Sequence, residues 1–445
     1  MPYALIIYRA PHYEASGEKG GLMLDKMDRS FLQFAITLYI PGFFINLGFS
    51  IVSPILPIYA ESFGIPYALV GMVTTANALG RLLSDIPLGT LSDRLGRRPL
   101  AIIGPLLVTC SAILCGLAQG FYELLLYRFI TGIGMATWMV ARQAMIADSV
   151  NPSIRGRVMS TFQGVNMIGS AAGPAVGGII AELWGYRTPF FFYGASTFVS
   201  LVVSLLLVKE SADPKRPENR STLMTDMHAL LGFLTFSIVM AAFTNFVNHI
   251  RFAARGTIIP LFGENVLHLT AGEIGLVLSA STITNILMVV RGQLNQHRPI
   301  SAPTITNILM VVPGGYIVDK YGRKFALVPS FIFTGIVFVL FSTCTDFSSA
   351  LLVSAILGVA SGLGGGATMA LAADLAPEGL RGQFMGFWQT VGDVGSAIGP
   401  VALGFVADLY GLVSPFYVTC AIMLIVAATT QLFVKETLKK EKSGS

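Results

Sequence analysis

The chain has 445 residues, of which 53% are apolar and only 12% are charged, and its mean hydropathy is +0.70. The apolar residues fall into runs of about 20, the length that crosses a bilayer as a helix, so the composition indicates a polytopic membrane protein. The formal net charge of +5 comes from basic residues in separate short loops, which form no patch with aromatic residues. This distribution argues against a nucleic-acid-binding protein.

The apolar runs are expected to cross the membrane as helices, because lipid offers no partner to bare backbone groups and the residue alternation of barrel strands is absent. The predicted fold is an all-α membrane protein in which twelve transmembrane helices form two pseudo-symmetric six-helix bundles. The runs are centred near Phe44, Ala78, Val108, Met135, Gly169, Thr197, Ala241, Ala280, Gly335, Ala360, Val394 and Ile422.

Residues 1–30 are expected to form a cytoplasmic tail. The first 22 residues are polar and lack the apolar core of a signal peptide, so the first span should act as an uncleaved targeting signal, with Met23 or Met27 as a possible true start. Basic residues concentrate in every second loop, for example Arg97 and Arg98 after the second span. By the positive-inside rule these loops and both termini are predicted to be cytoplasmic, in a multi-pass protein of the cell membrane.

A basic turn bracketed by glycines follows the second span and recurs 226 residues later, after the eighth. Its glycines permit a tight turn, and its aspartate offers a carboxylate to nearby N–H or guanidinium groups. The same spacing relates Asp148 to Asp374. Two similar membrane-embedded halves are what an alternating-access carrier needs. The first copy contains Gly89, Asp93, Arg94, Gly96, Arg97 and Arg98, and the second contains Gly315, Asp319, Lys320, Gly322, Arg323 and Lys324.

The fourth and fifth spans carry further unusual residues. Arg128 lies near the start of the fourth span, where an ionisable residue is a functional candidate and a headgroup-level anchor is the alternative. In the fifth span Gly169, Gly173 and Gly177 recur every four residues on one face, so a neighbouring helix can approach closely. Pro174 removes one backbone hydrogen bond and allows a bend. Ordinary small-residue packing is the alternative interpretation.

Residues 209–226, rich in Lys, Asp, Pro and Asn, form the one clear linker. This linker is predicted to separate an N-terminal six-helix bundle, residues 31–208, from a C-terminal one, residues 227–434. Residues 435–445 are expected to form a second cytoplasmic tail.

The eighth span contains a tandem repeat, because the string from Thr282 to Val290 recurs from Thr304 to Val312. Gly71 matches Gly275 at a spacing of 204, whereas later residues match at 226, and the difference of 22 is the length of the repeated unit. Residues 291–312 are therefore interpreted as a tandem insertion. A transmembrane helix would not carry the charged residues of this insertion through hydrocarbon, where each central charge costs roughly 2.5–3.5 kcal/mol. Two interpretations stay open, an artefact of sequencing, splicing or gene annotation and a real loop displaced from the helix.

Asp393, about ten residues into the eleventh span, is the most deeply placed acid of the chain. It matches Met167 in the first half, so the repeat does not explain it. Partial desolvation would suit reversible protonation, and a structural hydrogen bond is the alternative. Arg81 and Asp85, four residues apart in the second span, are expected to pair with each other as a structural pair.

Three sequence motifs resemble the signature motifs of the major facilitator superfamily. The first is the basic turn with its weaker second copy, and the second is the run from Arg128 to Gly134 in the fourth span. The third, in the fifth span, resembles the motif of the drug:proton antiporter branch. The resemblance covers the chain from about Phe31 to Val434. The third motif comprises Gly169, Gly173, Pro174, Gly177 and Gly178.

The resemblance implies roles for several of these residues. Asp93 and Arg97 would join Asp148 in closing the cytoplasmic side while the outward side is open, and Asp319, Arg323 and Asp374 would form a second such gate. The alternative is that these charges only hold topology and turn shape. The resemblance also implies that Arg128 influences proton exchange with a nearby acid, and that the bend in the fifth span lies between the halves and suits antiport.

Several polar or amphipathic residues in the spans are candidates for lining a substrate pathway. Singly, each is more often an interhelical hydrogen bond or a packing residue. No acid occurs in the first span between Phe31 and Ala60, which puts a strongly cationic substrate in doubt. The candidates are Asn46, Gln163, Asn166, Asn245, Asn248, Trp388 and Gln389.

The expected function is secondary transport by alternating access, with proton-coupled export of a small lipophilic compound. Symport or uniport of a sugar, organic acid or other metabolite is the first alternative, and a carrier-like sensor or scaffold that no longer transports is the second. No phosphate-binding loop, metal-ligand cluster or activated nucleophile is visible, so neither an enzyme nor a cofactor is expected. The expected partners are a small-molecule substrate, protons and the lipid bilayer, and the expected state is a monomer. The four cysteines are read as apolar fillers.

Overall fold

The computed structural model describes residues 19–150, 152–208, 235–294, 322–364, 366–377, 381–434 and 436, and every regular element in these ranges is a helix. Residues 1–18 of the first predicted tail, the predicted linker, the second-half residues Gly315, Asp319 and Lys320, and the final tail apart from Glu436 lie outside the described residues. So does most of the tandem unit at 291–312, although the helix that precedes it continues to Leu294. The predictions for these segments remain predictions.

The helices of the first half begin with a long helix that bends by 43° into a short one, and then follow one another through short connections. They are α1 (Lys19–Val52), α2 (Ile55–Glu61), α3 (Tyr67–Leu95), α4 (Arg97–Leu117), α5 (Phe121–Ser149), α6 (Pro152–Trp184) and α7 (Thr188–Leu207).

In the second half, the described helices begin with a helix that passes through a π-helical turn, Ala254–Ile258. They are α8 (Phe236–Ala253), α9 (Ile259–Asn265), α10 (Ala271–Leu294), α11 (Arg323–Phe341), α12 (Phe347–Gly364), α13 (Ala367–Leu375), α14 (Arg381–Tyr410) and α15 (Ser414–Phe433).

Each of the twelve predicted spans has a helical counterpart. Within the described residues, nine segments are long and apolar enough to cross a membrane, and the bent pair of α1 and α2 makes a tenth. The other two counterparts are α3 and the run from α8 through the π turn to α9. Both carry charged side chains in their interior, Arg81 and Asp85 in the first and Arg251 and Arg255 in the second. These interior charges lower the hydropathy of both segments.

The two halves repeat one packing scheme. In the first half α1 packs against α6 and α7, α4 packs against α5 and α7, and α3 packs against α5. In the second half α8 packs against α14 and α15, α11 packs against α12 and α15, and α10 packs against α12. Each contact in one half has its equivalent in the other. This confirms the prediction of two pseudo-symmetric helical bundles.

The halves meet along two equivalent interfaces, α3 with α14 and α6 with α10. A Cβ atom added at Gly71 would overlap the Pro400 carbonyl oxygen, and one added at Gly275 would overlap that of Pro174. Gly404 and Gly178 make the corresponding contacts with the backbone of α3 and α10. Because helix backbones approach this closely only over small residues, these glycines determine how near the two halves can lie.

At one end of the molecule, carboxylates of one half cap helices of the other. Asp408 accepts hydrogen bonds from the backbone N–H groups of Tyr67 and Ala68, at 2.8 and 2.9 Å. Its counterpart Glu182 accepts from the backbone N–H of Gly272 at 3.0 Å. Anionic groups are favourable at helix N-termini, so both caps stabilise the contact between halves. We call this end the capped end, and the end that bears Arg97, Arg98, Arg323 and Lys324 the basic end.

Candidate functional site

A cavity of about 510 Å³ lies between the two halves. Its wall contains residues of α1, α2, α3, α5, α6 and, from the second half, α8, the π turn, α10 and α14. Most of the wall is apolar, with hydroxyl and amide groups interspersed. The apolar wall residues include Phe49, Val52, Leu56, Ala78, Met167, Phe252, Leu278 and Ile286, and the polar ones include Asn46, Asn77, Thr282 and Asn285.

Three arginines, Arg81, Arg128 and Arg255, line this cavity, whereas none of its lining residues is an aspartate or a glutamate. A guanidinium group stays charged in proteins, so the wall carries a positive potential. The three arginines come from three different helical segments and from both halves. The cavity is therefore cationic as well as apolar.

Arg81 binds Asp393 of the other half. Its Nη2 atom lies 3.1 Å from Asp393 Oδ1, and Asp393 is only 4% exposed. The expected pair of Arg81 with Asp85 is wrong, since the described residues contain no ion pair between these two side chains. The face of α3 that bears Arg81 packs against α14, where a buried carboxylate requires a counter-charge.

The Arg81–Asp393 pair has no equivalent at the other interface. The matching positions are Asn285 on α10 and Met167 on α6, and both of these residues also line the cavity. The backbone contacts between the halves are symmetric, but this charge pair belongs to one interface alone. Its presence therefore needs a reason other than the repeat.

Arg128 lies in the cavity wall. It is 3% exposed, and its guanidinium carbon lies 5.8 Å from the centre of the Phe49 ring. Its Nε atom is buried without a hydrogen-bond partner. No ion pair joins Arg128 to an acid among the described residues, so the expected nearby acid is not seen there.

Arg255 occupies the π turn, where sequence reasoning missed it. Its Nη2 atom donates to the Leu278 carbonyl oxygen at 2.9 Å and to the Thr282 hydroxyl, both on α10. A π turn holds more residues than an α turn and changes which residues face a neighbouring helix. Two arginines four residues apart at membrane depth, Arg251 and Arg255, were the signal that could have revealed the site.

At the basic end, the repeated turns form equivalent ion pairs. Arg97 Nε lies 3.2 Å from Asp148 Oδ2, and Arg323 Nε lies 2.9 Å from Asp374 Oδ2. The first pair joins the start of α4 to the end of α5, and the second joins the start of α11 to the end of α13. Each pair thus lies within one half of the molecule. The structure does not describe the side chains of Asp93 and Arg94.

Glycines permit the turns that present these arginines. Gly96 and Gly322 have φ angles of 89° and 112°, in the left-handed region that other residues avoid. Glu436 then accepts hydrogen bonds from the backbone N–H groups of Arg323 and Lys324, at 2.9 and 3.1 Å, and caps α11. By contrast, a Cβ atom added at Gly89 would meet nothing within 4 Å.

The glycines of α6 serve two different contacts. A Cβ added at Gly173 would meet Ser50 of α1, one at Gly177 would overlap the Ile51 carbonyl oxygen, and Gly169 lies near Leu47. These three therefore pack α6 against α1 within the first half. Gly178 instead faces α10 in the second half, and Pro174 lines the cavity.

Of the seven proposed pathway residues, Asn46 lines the cavity. Asn245 donates its side-chain amide to the Trp388 carbonyl oxygen at 2.8 Å and both residues are buried, so they join α8 to α14. The other candidates lie outside the cavity wall, and each precedes the lining residues of its own helix on the side of the basic end. They are Gln163, Asn166, Asn248 and Gln389.

A family model described as Major Facilitator Superfamily matches residues 38–300 and 252–445. The chain belongs to the major facilitator superfamily. It is 25% identical to an uncharacterised MFS-type transporter of Methanocaldococcus jannaschii, over 89% of this chain and 97% of that protein. It is 26% identical to the multi-drug resistance efflux pump PmrA of Streptococcus pneumoniae, over 85% of this chain and 90% of that one.

Among solved structures, the transporter resembles a bacterial homologue of the human lysosomal transporter Spinster, solved in an inward-facing and occupied conformation. The TM-score is 0.66 at 18% sequence identity, covering 91% of this chain and 96% of that chain. At this identity the likeness shows the fold. It agrees with the two-bundle architecture.

Proposed function

We propose that this transporter exports a small lipophilic compound in exchange for protons. The observation that carries the proposal is the buried Arg81–Asp393 pair, which joins the two halves beside the central cavity. A titratable group that also holds two moving bodies together can couple protonation to their movement. The similarity to a multidrug efflux pump supports export of lipophilic compounds.

The basic end is proposed to face the cytoplasm, as the positive-inside rule indicates. The capped end then faces outward. Hydrogen bonds between the halves, such as those of Asp408 and Glu182, lie at the capped end or between it and the Arg81–Asp393 pair. In this conformation the cavity is closed toward the outside and is proposed to receive its substrate from the cytoplasm.

Protonation of Asp393 is proposed to favour separation of the halves at the capped end. Neutralising one partner of a buried ion pair leaves the other unpaired, at a cost of about 3–5 kcal/mol. That cost is more than about a hundredfold in an equilibrium constant. The charged form of Asp393 therefore stabilises the conformation closed at the capped end, and the protonated form weakens the contact between α3 and α14.

The uptake of an organic acid with a proton is a second candidate function. It is favoured by the three arginines in a cavity wall that contains no carboxylate among its lining residues. Protonation of Asp393 would release Arg81, and the freed guanidinium would attract an anion. Proton and anion would then bind together, as symport requires.

The direction of coupling distinguishes the two candidates. Proteoliposomes are given an acidic or an alkaline lumen, and accumulation of 2-naphthalenesulfonate, its sulfonamide and the trimethyl-2-naphthylammonium cation is measured. Antiport predicts accumulation in the acidic lumen and symport in the alkaline lumen. Asp393→Asn should abolish gradient-driven accumulation in either case. Accumulation that does not depend on the proton gradient would contradict both functions.

A further inference from the structure

We infer that the cavity binds a lipophilic oxyanion, a compound with a carboxylate or sulfonate group that contacts Arg128 and Arg255. The inference rests on the proposed function in one respect only, that this cavity holds the substrate. It adds the chemical class of the substrate and the residues that recognise it.

The first argument is the charge of the cavity wall. The lining residues include three guanidinium groups and no carboxylate, and only Arg81 has an acidic partner, Asp393. Within the described part of the chain, no acid pairs with Arg128 or Arg255. A buried cation without a counter-ion is costly, so a bound anion would remove an unfavourable feature of the empty site.

The second argument is the unused hydrogen-bonding capacity of Arg128. This side chain is 3% exposed, and its buried Nε atom has no hydrogen-bond partner among the described residues. The nearby Phe49 ring attracts its charge but accepts none of its N–H donors in the way an oxygen does. Buried polar groups are normally satisfied, and the exceptions require an explanation. An oxyanion in the cavity supplies the missing acceptor.

The third argument is the orientation of Arg255. One nitrogen, Nη2, is held by the Leu278 carbonyl oxygen at 2.9 Å and by the Thr282 hydroxyl. The Nη1 and Nε donors have no partner among the described residues. A guanidinium fixed in this way presents a planar fork that matches the two oxygens of a carboxylate or sulfonate. The site is therefore organised before the ligand arrives.

The rest of the cavity determines the lipophilic part of the ligand. Its volume of about 510 Å³ lies in the range of sites for drug-sized molecules. The aromatic side chains of Phe49 and Phe252 and the aliphatic side chains of Leu56, Leu278 and Ile286 contribute to its wall. A small inorganic anion would leave this apolar surface uncovered, so an anion with a hydrophobic body fits better.

The test compares three probes that share one naphthalene body: 2-naphthalenesulfonate, neutral 2-naphthalenesulfonamide and the trimethyl-2-naphthylammonium cation. Binding to the full chain in lipid nanodiscs is measured by equilibrium dialysis, without a proton gradient. The anion should bind at least about tenfold more tightly than the sulfonamide, since hydrogen bonds to charged groups contribute about that factor or more. The cation should bind most weakly.

Arg128→Gln and Arg255→Gln should each lower the affinity for the anion by about tenfold or more and change that for the sulfonamide by less than about twofold. Arg251→Gln is the matched control. This buried arginine lies four residues before Arg255, with its guanidinium 5.0 Å from the Phe252 ring, and does not line the cavity. It should leave the ratio of the two affinities unchanged.

Three results would overturn the inference: no binding of the anion, equal affinity for anion and sulfonamide, or equal losses for both probes in the arginine variants. If an arginine variant fails to fold, Thr282→Val provides a second test, because it removes one acceptor that orients Arg255 and should weaken anion binding alone. Anion binding without gradient-driven flux would refute the proposed transport but not this inference. Gradient-driven flux of the cation alone would refute this inference but not the proposed transport.

Discussion

Replacing Gly178 with alanine should drive the two halves apart at the capped end. The added Cβ would overlap the Ala271 carbonyl oxygen, and a backbone atom in a helix cannot rotate away as a flexible side chain can. To reach normal contact distances, α6 and α10 must separate by roughly 1 Å. The closed conformation should therefore be destabilised relative to one in which this interface is open.

The size of the effect follows from the overpacking term, which is about 1–3 kcal/mol for a well-packed interface. Alanine also gains about 1 kcal/mol over glycine in helix propensity, but this gain is the same in both conformations because α6 is helical in each. The control Gly164→Ala lies on the same helix and meets nothing within 4 Å, so it has the propensity gain alone. The difference between the two variants then isolates the overpacking term, a factor of about 5 to 150 in the conformational equilibrium.

The assay is electron–electron double resonance between spin labels on the two halves. Ser62→Cys and Tyr410→Cys place labels at the capped end, in a chain whose four native cysteines are replaced by serine. Gly178→Ala should populate a longer distance that Gly164→Ala does not. Identical distance distributions for the two variants would refute the argument that this contact sets the approach of the halves.

Three further predictions concern the caps and loops. Asp408→Asn and Glu182→Gln should each open the capped end by weakening bonds between halves, and the double variant should exceed either; unchanged distances would contradict this. Arg323→Gln should lower the melting temperature modestly, since a partly exposed ion pair contributes about 1 kcal/mol. Adding Asp374→Asn to Arg323→Gln should lower the melting temperature little further, because the pair is already broken. Hydrogen bonds from the backbone and side chain of Ser349 lower the pKa of Asp346. The ionised Asp346 carboxylate therefore stabilises the folded protein at neutral pH, and this contribution is lost when the carboxylate is protonated in acid. The gap in melting temperature between wild type and Asp346→Asn should therefore close as the pH falls.

Much of the fold could be predicted from the sequence, because its causes are local or repeated. The lipid environment requires helices wherever long apolar runs occur, and these were visible as runs. The spacing of 226 placed Arg97 with Asp148 and Arg323 with Asp374 in equivalent positions, and the structure brings both pairs together. Each of these contacts lies within one half. A repeated pattern is informative about such contacts since both copies report on the same arrangement.

The sequence could not show how the two halves face each other. Spacing on one helix suggested that Arg81 pairs with Asp85, but its partner is set by the packing of α3 against α14. Arg255 escaped notice because a π turn breaks the regular helical period on which face predictions depend. Asn245 and Trp388 were candidates for the cavity as polar or amphipathic side chains, but they contact each other between α8 and α14 and do not line it.

The carboxylate caps also bear on the origin of the molecule. Glu182 and Asp408 occupy equivalent positions, and so do Ala68 and Gly272, the residues whose N–H groups they bind. In a two-fold dimer every contact occurs twice, with the roles of the subunits exchanged. An ancestral gene encoding a single half would thus have acquired both caps through one acidic codon. Duplication and fusion of such a gene would then have allowed the two positions to diverge into glutamate and aspartate.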